Sequence, residues 1–383
     1  MTRRAKGEGH ITQRKNGTYQ INIIQQGVQK SFYGKTRQEV YAKLRKFQFE
    51  CDQGITVTDI TVSEHTEWWL QSVKKDRIKP GSYDRLERTY LLYIKEEIGD
   101  VPLKKLTSSS CQELINKWAE RYAYSTVKKI YELLNASLEY ALNLGHISKN
   151  PMTLVSMQRE ASFKKKTKEI VIPTEESVKK FFEAAECTLP SGRSLYTKSY
   201  VKAFRIISQT GLRLGEMLAL KWDNVSFDNA TIRIDSTVSE IIDREAEPGQ
   251  RIKHVLTEPK TKSGYRTIQV SDSTLNTLRE LRKMYKEQGF DTDGFVILNS
   301  KGLPANSHSV ERTLNNICKA AGIESFTPHV FRHYFASWCV ANGVDFVKLA
   351  SHLGHSRPSI TMNIYSHVTL KQNEEFKKLL NSI

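Results

Sequence analysis

Apolar and polar residues alternate along Tyr19-Gln20-Ile21-Asn22-Ile23, a period of two that predicts a half-buried strand. Asn16-Gly17 just ahead reads as a hairpin turn. Another short strand follows Gln26-Gly27, over Gln29 to Gly34. The period then changes. Thr36-Arg37-Gln38-Glu39 has the form of a capping box, and Val40, Leu44 and Phe47 fall at i, i+4 and i+7. Residues 1–57 therefore read as a β-β-β-α unit whose helix covers one sheet face. The other face is expected to carry Arg14, Lys15, Gln20, Asn22 and Lys30, with Tyr19 a further candidate contact.

Residues 58–160 keep the helical period. A first helix holds Trp68, Trp69 and Leu70, with the two Trp expected in the core, and breaks at Pro80-Gly81. Others are expected from Tyr83 to Ile98, from Ser109 to Tyr122 and from Ser125 to Leu144, with Gly99 and Gly145 as stops. This is the pattern of a four-helix bundle. The stretch 161–169 has no amphipathic period, contains Lys164, Lys165 and Lys166, and reads as a basic linker. Residues 170–383 mix helices with a few short strands and form a second, larger folded unit.

Charge adds a partner to this outline. The chain has 383 residues with 58 Lys plus Arg against 42 Asp plus Glu, a net of +16. Residues 1–57 carry +7 of it and 161–169 carry +3, while 58–160 carry only +1. A surplus placed on a head and a joint points to a polyanion, and a small sheet can lie in a DNA major groove. No apolar run approaches the roughly 18 residues of a membrane helix, and no apolar segment follows the basic start, so neither membrane nor secretion is expected. Five scattered cysteines without a CxxC pair argue against a disulfide framework or zinc knuckle, and a reducing cytoplasmic location is expected.

The chemistry-bearing residues lie in the last 170 positions. Thr210-Gly211-Leu212-Arg213 puts an Arg at a turn just before a helix, with Glu216 three residues on. Lys260 and Lys262 precede Ser263-Gly264, read as the turn of a β-hairpin that continues into Arg266 to Val270. Thr327-Pro328 opens a helix on which His329 and Arg332 share one face at i, i+3, an arrangement suited to a phosphate. Leu353-Gly354-His355 ends another helix, and Tyr365 and His367 follow. His329 and His333 have the spacing of a zinc helix, but no Glu follows His329 and Arg332 sits between them, so no metal is expected. Two Arg, a Lys, several His and a Tyr together suit one metal-free reaction. The guanidiniums clamp a phosphorane, the Tyr attacks phosphorus to form a phosphotyrosine, and the Lys protonates the leaving 5′ oxygen.

This ordered set, Arg213, Lys262, His329-x-x-Arg332, Leu353-Gly354-His355 and Tyr365-x-His367, resembles the tyrosine recombinase or phage integrase family. The opening Gly7-Glu8-Gly9 to Tyr19 is similar to integrases of conjugative transposons. The resemblance implies a multidomain, mixed α/β fold: an arm-binding domain (1–57), a SAM-like helical core-binding domain (58–160), the linker (161–169) and a mainly α catalytic domain with a small antiparallel sheet and a tail helix (170–383). It implies Arg213 and Arg332 as the phosphate clamp and Tyr365 as nucleophile. His329 and His355 are assigned to phosphate contact and proton handling, Lys262 to the general acid with Lys260 its rival, and Glu216 to structural support. It further implies integration and excision of a mobile element without metal, ATP or other cofactor, double-stranded DNA with core and arm sites, a homotetramer, a small excisionase and a host DNA-bending protein. A type IB topoisomerase and an inactive DNA-binding regulator are the alternatives.

Overall fold

The computed structural model describes residues 10–25, 28–52, 59–166, 172–187, 196–247, 252–259 and 261–365. Lys260, His367 and the expected tail helix lie outside the described residues, as does the Gln26-Gly27 turn. The chain divides into two compact units, Met1–Lys168 and Glu169–Ile383.

The first unit opens with an antiparallel sheet in the order β1 (His10–Gln13), β2 (Tyr19–Gln25), β3 (Val28–Gly34), followed by α1 (Arg37–Asp52). Gly17, at φ +81°, makes the β1–β2 turn. Glu39 N–H donates to Thr36 Oγ1 at 3.2 Å, while the Glu39 carboxylate takes Lys35 N–H at 2.9 Å, one residue earlier than a full capping box requires. Ile21 and Ile23 pack on Val40, Leu44 and Phe47, so the helix covers the expected face.

The register divides the candidate contacts of this sheet. Gln20 and Asn22 occupy the uncovered face, joined by a 2.8 Å hydrogen bond, and Tyr33 stands opposite Gln20 with Arg14 over its ring at 5.0 Å. Lys15 is exposed in the turn. Tyr19 and Lys30 are corrections. Tyr19 shares the face of Ile21 and packs on the apolar cluster. Lys30 pairs with Ile23 and extends over the Phe47 ring at 5.3 Å. The physical reason is the period of two, which gives cross-strand partners the same face.

The helical part has its own core. It comprises α2 (Val62–Trp69) continuing as a π-helical turn Leu70–Lys74, α3 (Pro80–Thr89) continuing through a π-helical stretch Tyr90–Lys95 into α4 (Glu96–Ile98), α5 (Ser108–Arg121) and α6 (Tyr124–Asn143). Pro80 starts α3 at its first turn instead of merely breaking its predecessor, which is where a missing N–H costs nothing. Trp69, Leu70, Tyr90, Ile94, Ile115, Trp118, Ile130 and Leu134 are buried together. Trp68 is a correction: it is 43% exposed, because Val62, Thr66, Trp69, Leu70 and Val73 share the buried stripe of this helix and position 68 turns away from it. The expected linker is also shorter on its N-terminal side. Phe163 is buried in this cluster with its ring 5.3 Å from Tyr124, and the exposed Lys164, Lys165 and Lys166 begin just after that anchor.

The second unit is built from α7 (Glu175–Ala185), α8 (Lys198–Thr210), α9 (Leu214–Ala219), a sheet of β4 (Val225–Ser226), β5 (Thr231–Ile234) and β8 (Arg266–Gln269), a separate pair β6 (Thr237–Ile242) and β7 (Ile252–Thr257), then α10 (Asp272–Gln288), α11 (Ser307–Ala320), α12 (Pro328–Ala341), α13 (Phe346–Leu353) and α14 (Pro358–Tyr365). Phe204 and Phe331 stack at its centre with Phe181 edge-on to both, tying α7, α8 and α12 together. The hairpin expected around Ser263-Gly264 is a correction. β7 pairs with β6 and β8 pairs with β5, so residues 262–264 are a short 3-10 turn that feeds β8. Pro259, which has no N–H to donate to a ladder, packs where a side chain on Gly264 would stand.

Candidate functional site

The site residues gather where α9, α12, α13 and α14 meet the start of β8, all within the second unit. Two left-handed glycines shape the place. α8 ends at Gly211 (φ +67°) and α13 at Gly354 (φ +69°). A β-carbon on Gly211 would lie 2.6 Å from the Phe335 ring, and one on Gly354 would lie 2.7 Å from Arg266 Nη1 and 2.8 Å from Ser263 O. Neither position has room for a side chain. The second close approach also brings the turn that bears Lys262 against the residue preceding His355.

Arg332 sits under these turns, 1% exposed. Its Nη1 donates to Gly211 O at 2.8 Å and its Nη2 to Leu353 O at 2.7 Å, so two helix ends hold one guanidinium. Burial, and then the neighbouring Arg213 charge, lower its pKa to about 9, which leaves it cationic at neutral pH. Arg213 caps the start of α9 and is part-exposed. Its Nη1 donates to Glu216 at 2.7 Å and its Nη2 to Gly354 O at 3.3 Å.

Glu216 is the anchor of the cluster, 7% exposed. It accepts from Arg213 and, through both oxygens, from Arg266 at 3.1 and 2.9 Å. Burial alone would raise its pKa. The Arg266 hydrogen bonds and the two guanidinium charges outweigh that and hold it down at about 2. Arg266 also donates to His352 O at 2.6 Å and Gly264 O at 3.3 Å. It thus joins β8, the Lys262 turn, α9 and α13, a role no local pattern revealed; the available signal was a cation four residues after Lys262 at the head of a short strand.

The histidines differ. His329 is exposed on its outer side, at the first turn of α12. Crowding on its inner side, then the nearby His333 and Arg332, lower its pKa to about 4. His355 is half-buried, with Nδ1 2.7 Å from Thr361 Oγ1, a contact that fixes the ring and was not anticipated. Burial and the Arg332 and Arg213 charges lower its pKa to about 4 as well. Both imidazoles are therefore neutral at pH 7 in the chain without DNA. His352 is spent structurally, with Nε2 donating to Thr210 O at 2.9 Å.

Tyr365 ends α14 and is 1% exposed. Burial pushes its pKa up to about 12, with Arg332 pulling weakly the other way. Lys262 is exposed. The structure thus brings Arg213, Glu216, His329, Arg332, His355 and Tyr365 into one cluster, with the Lys262 turn against it. The outer surface belongs to Arg213, His329 and part of His355, while Arg332 and Tyr365 lie beneath. Concentrated cationic donors beside neutral imidazoles and a phenol suit an anionic, tetrahedral group.

The chain has known relatives in sequence and in fold. The chain is 28% identical over 370 residues to a "Tyrosine recombinase XerC-like" protein of Caldanaerobacter subterraneus subsp. tengcongensis, covering 93% of this chain and 92% of that one. Its fold matches the Tn1549 transposon integrase in complex with a circular intermediate DNA, with a TM-score of 0.68 at 22% identity over 84% of this chain and 99% of the other. It also matches lambda integrase, solved as a tetramer bound to a Holliday junction, with a TM-score of 0.58 at 17% identity over 95% and 96%. Residues 61–119 match the phage integrase N-terminal SAM-like domain. Residues 154–372 match the phage integrase family across more than half of the sequence, and the chain belongs to that family.

Proposed function

We propose that the protein is a site-specific DNA recombinase that integrates and excises a mobile element through a covalent 3′-phosphotyrosine intermediate. The observation that supports this reading is the network in which Glu216 binds Arg213 and Arg266, with Arg332 buried on two helix ends beside it and the Lys262 turn packed against Gly354. Arg213 and Arg332 stabilise the charge that develops on the non-bridging oxygens. The Tyr365 oxygen attacks phosphorus and its proton passes to a neutral site histidine, His329 or His355. The P–O5′ bond breaks and the leaving oxygen takes a proton from Lys262. The ester keeps the bond energy, so rejoining needs no nucleotide cofactor. Glu216 positions Arg213 and does not touch the reacting atoms.

In this reading residues 58–160 and 170–383 bind the core site, residues 1–57 bind a separate arm site through Arg14, Lys15, Gln20 and Asn22, and Lys164, Lys165 and Lys166 contact phosphates. The working form is a homotetramer on DNA, with a small excisionase and a host DNA-bending protein setting direction. The test is a nicked suicide substrate carrying an element end. Wild-type protein is expected to form a covalent adduct in EDTA and Tyr365→Phe none. An adduct with Tyr365→Phe removes the nucleophile assignment, and relaxation of plasmids lacking any element end favours a topoisomerase.

A further inference from the structure

The resting place of Tyr365 carries one more inference, which rests on its assignment as nucleophile. Its ring is enclosed by Ala336, Cys339 and Val340 of α12 and by Leu349 and Leu353 of α13. Its hydroxyl lies 2.6 Å from Nδ1 of His333, with the two rings 5.7 Å apart. His333 follows Arg332 directly and sits one helical turn after His329, whose ring meets it edge-on at 4.9 Å. His333 is only 5% exposed, and among the described residues its Nε2 has no hydrogen-bond partner.

An oxygen enclosed in this way cannot stand in line with a DNA phosphate, so Tyr365 must leave before it attacks. Its departure takes away the partner of Nδ1 and leaves His333 buried with neither nitrogen paired, and an unpaired buried polar group is costly. The inward position is therefore favoured by a specific polar bond as well as by packing. A phosphate on Arg213 rewards only the outward position, where the hydroxyl can touch it, and so shifts the balance.

We propose that His333 is a positioning residue that berths the Tyr365 hydroxyl inside the catalytic unit, keeping the nucleophile out of reach until a DNA phosphate draws it out. His333 takes no proton in the transesterification itself.

The experiment measures the single-turnover rate of adduct formation by the full chain on a saturating suicide substrate. His333→Leu keeps an apolar filling but loses the bond, and the rate is expected to rise roughly 2- to 12-fold, the equilibrium factor of one net hydrogen bond. His333→Asn places a polar atom near the position of Nδ1 and is expected to stay near wild type. If the leucine variant melts below the assay temperature, His333→Gln replaces it, since its amide projects towards the Nε2 side, and the same rise is expected. An unchanged rate in the variants that lose the bond overturns the berth. A rate that falls with leucine and returns with asparagine overturns it too, because His333 then assists attack. Running Tyr365→Phe alongside separates the two claims: an adduct there means the nucleophile is another residue, whatever His333 does.

Discussion

Positive charge serves two opposite purposes in this chain. On the head and the joint, Arg14, Lys15, Lys164, Lys165 and Lys166 stand exposed. In the second unit Arg332 is 1% exposed, and Arg266 is almost as deep, pinned to Glu216 and to backbone carbonyls. An exposed cation is screened beyond about 8–10 Å at physiological salt and meets phosphates in many registers. A buried guanidinium held by two helix ends has one position and little screening. On the proposed function, net charge accounts for attraction to DNA, whereas the buried arginines decide where a phosphate is stabilised.

The contrast is broken most sharply at Arg332. Arg332→Gln removes the charge yet can still bond one carbonyl. The adduct rate at saturating DNA is expected to fall roughly 10²- to 10³-fold, as when a preorganised donor is removed. Core-site affinity, measured by fluorescence anisotropy, should change by less than about tenfold. A collapse of affinity with an intact rate would make Arg332 an attractor like the surface lysines.

Glu216 gives the next largest effect. Glu216→Gln leaves Arg266 buried without its counter-charge, and a stability loss on the order of 3 kcal/mol is expected in urea unfolding. The sign of the pH dependence follows from the lowered pKa. A carboxylate held at about 2 stabilises the fold above its ordinary value of 4.5, and that contribution fades as pH falls from 4.5 towards 2. The wild-type stability curve should show this decline and the glutamine variant should lack its share of it.

How much of this was readable in the sequence depended on distance along the chain. The alternation from Tyr19 to Ile23 and the Val40, Leu44, Phe47 stripe reported the head directly, because each is local. Lys30 was misplaced because its face depends on how many residues turn the chain between β2 and β3, and a one-residue shift reverses every side chain. Trp68 failed because the buried stripe of its helix runs through Val62, Thr66, Trp69, Leu70 and Val73, which leaves position 68 outside it. The motif residues and the supporting Glu216 were legible as an ordered set, but the distant partners that complete the support were not. Arg266 meets Glu216 across 50 positions and His333 meets Tyr365 across 32, so both pairings exist only after the unit closes. The hairpin expected at Ser263-Gly264 was lost to the insertion of the β6–β7 pair, which sends β8 to β5 instead.

The joint tests the other side of the comparison. Replacing Lys164, Lys165 and Lys166 with Gln should make the dependence of core-site affinity on salt shallower, by up to about 2.7 in the slope of log K against log salt, since each neutralised phosphate contributes about 0.9. The adduct rate at saturating DNA should be unchanged. An altered rate would mean that these lysines belong with the placed cations.

The smallest effect separates two cations within the head. Arg14 lies over Tyr33 on the uncovered face, beside Gln20 and Asn22, while Lys30 lies over Phe47 on the face covered by α1. If that face meets the arm site, Arg14→Ala costs one phosphate contact, and the salt slope for arm-site DNA should fall by about 0.9 with a few-fold loss of affinity. Lys30→Ala should leave the slope unchanged, although the two substitutions alter net charge equally. Bulk attraction predicts the same change for both. Only a face-specific contact predicts a difference, so equal slopes would return the head to the role of a diffuse cationic patch.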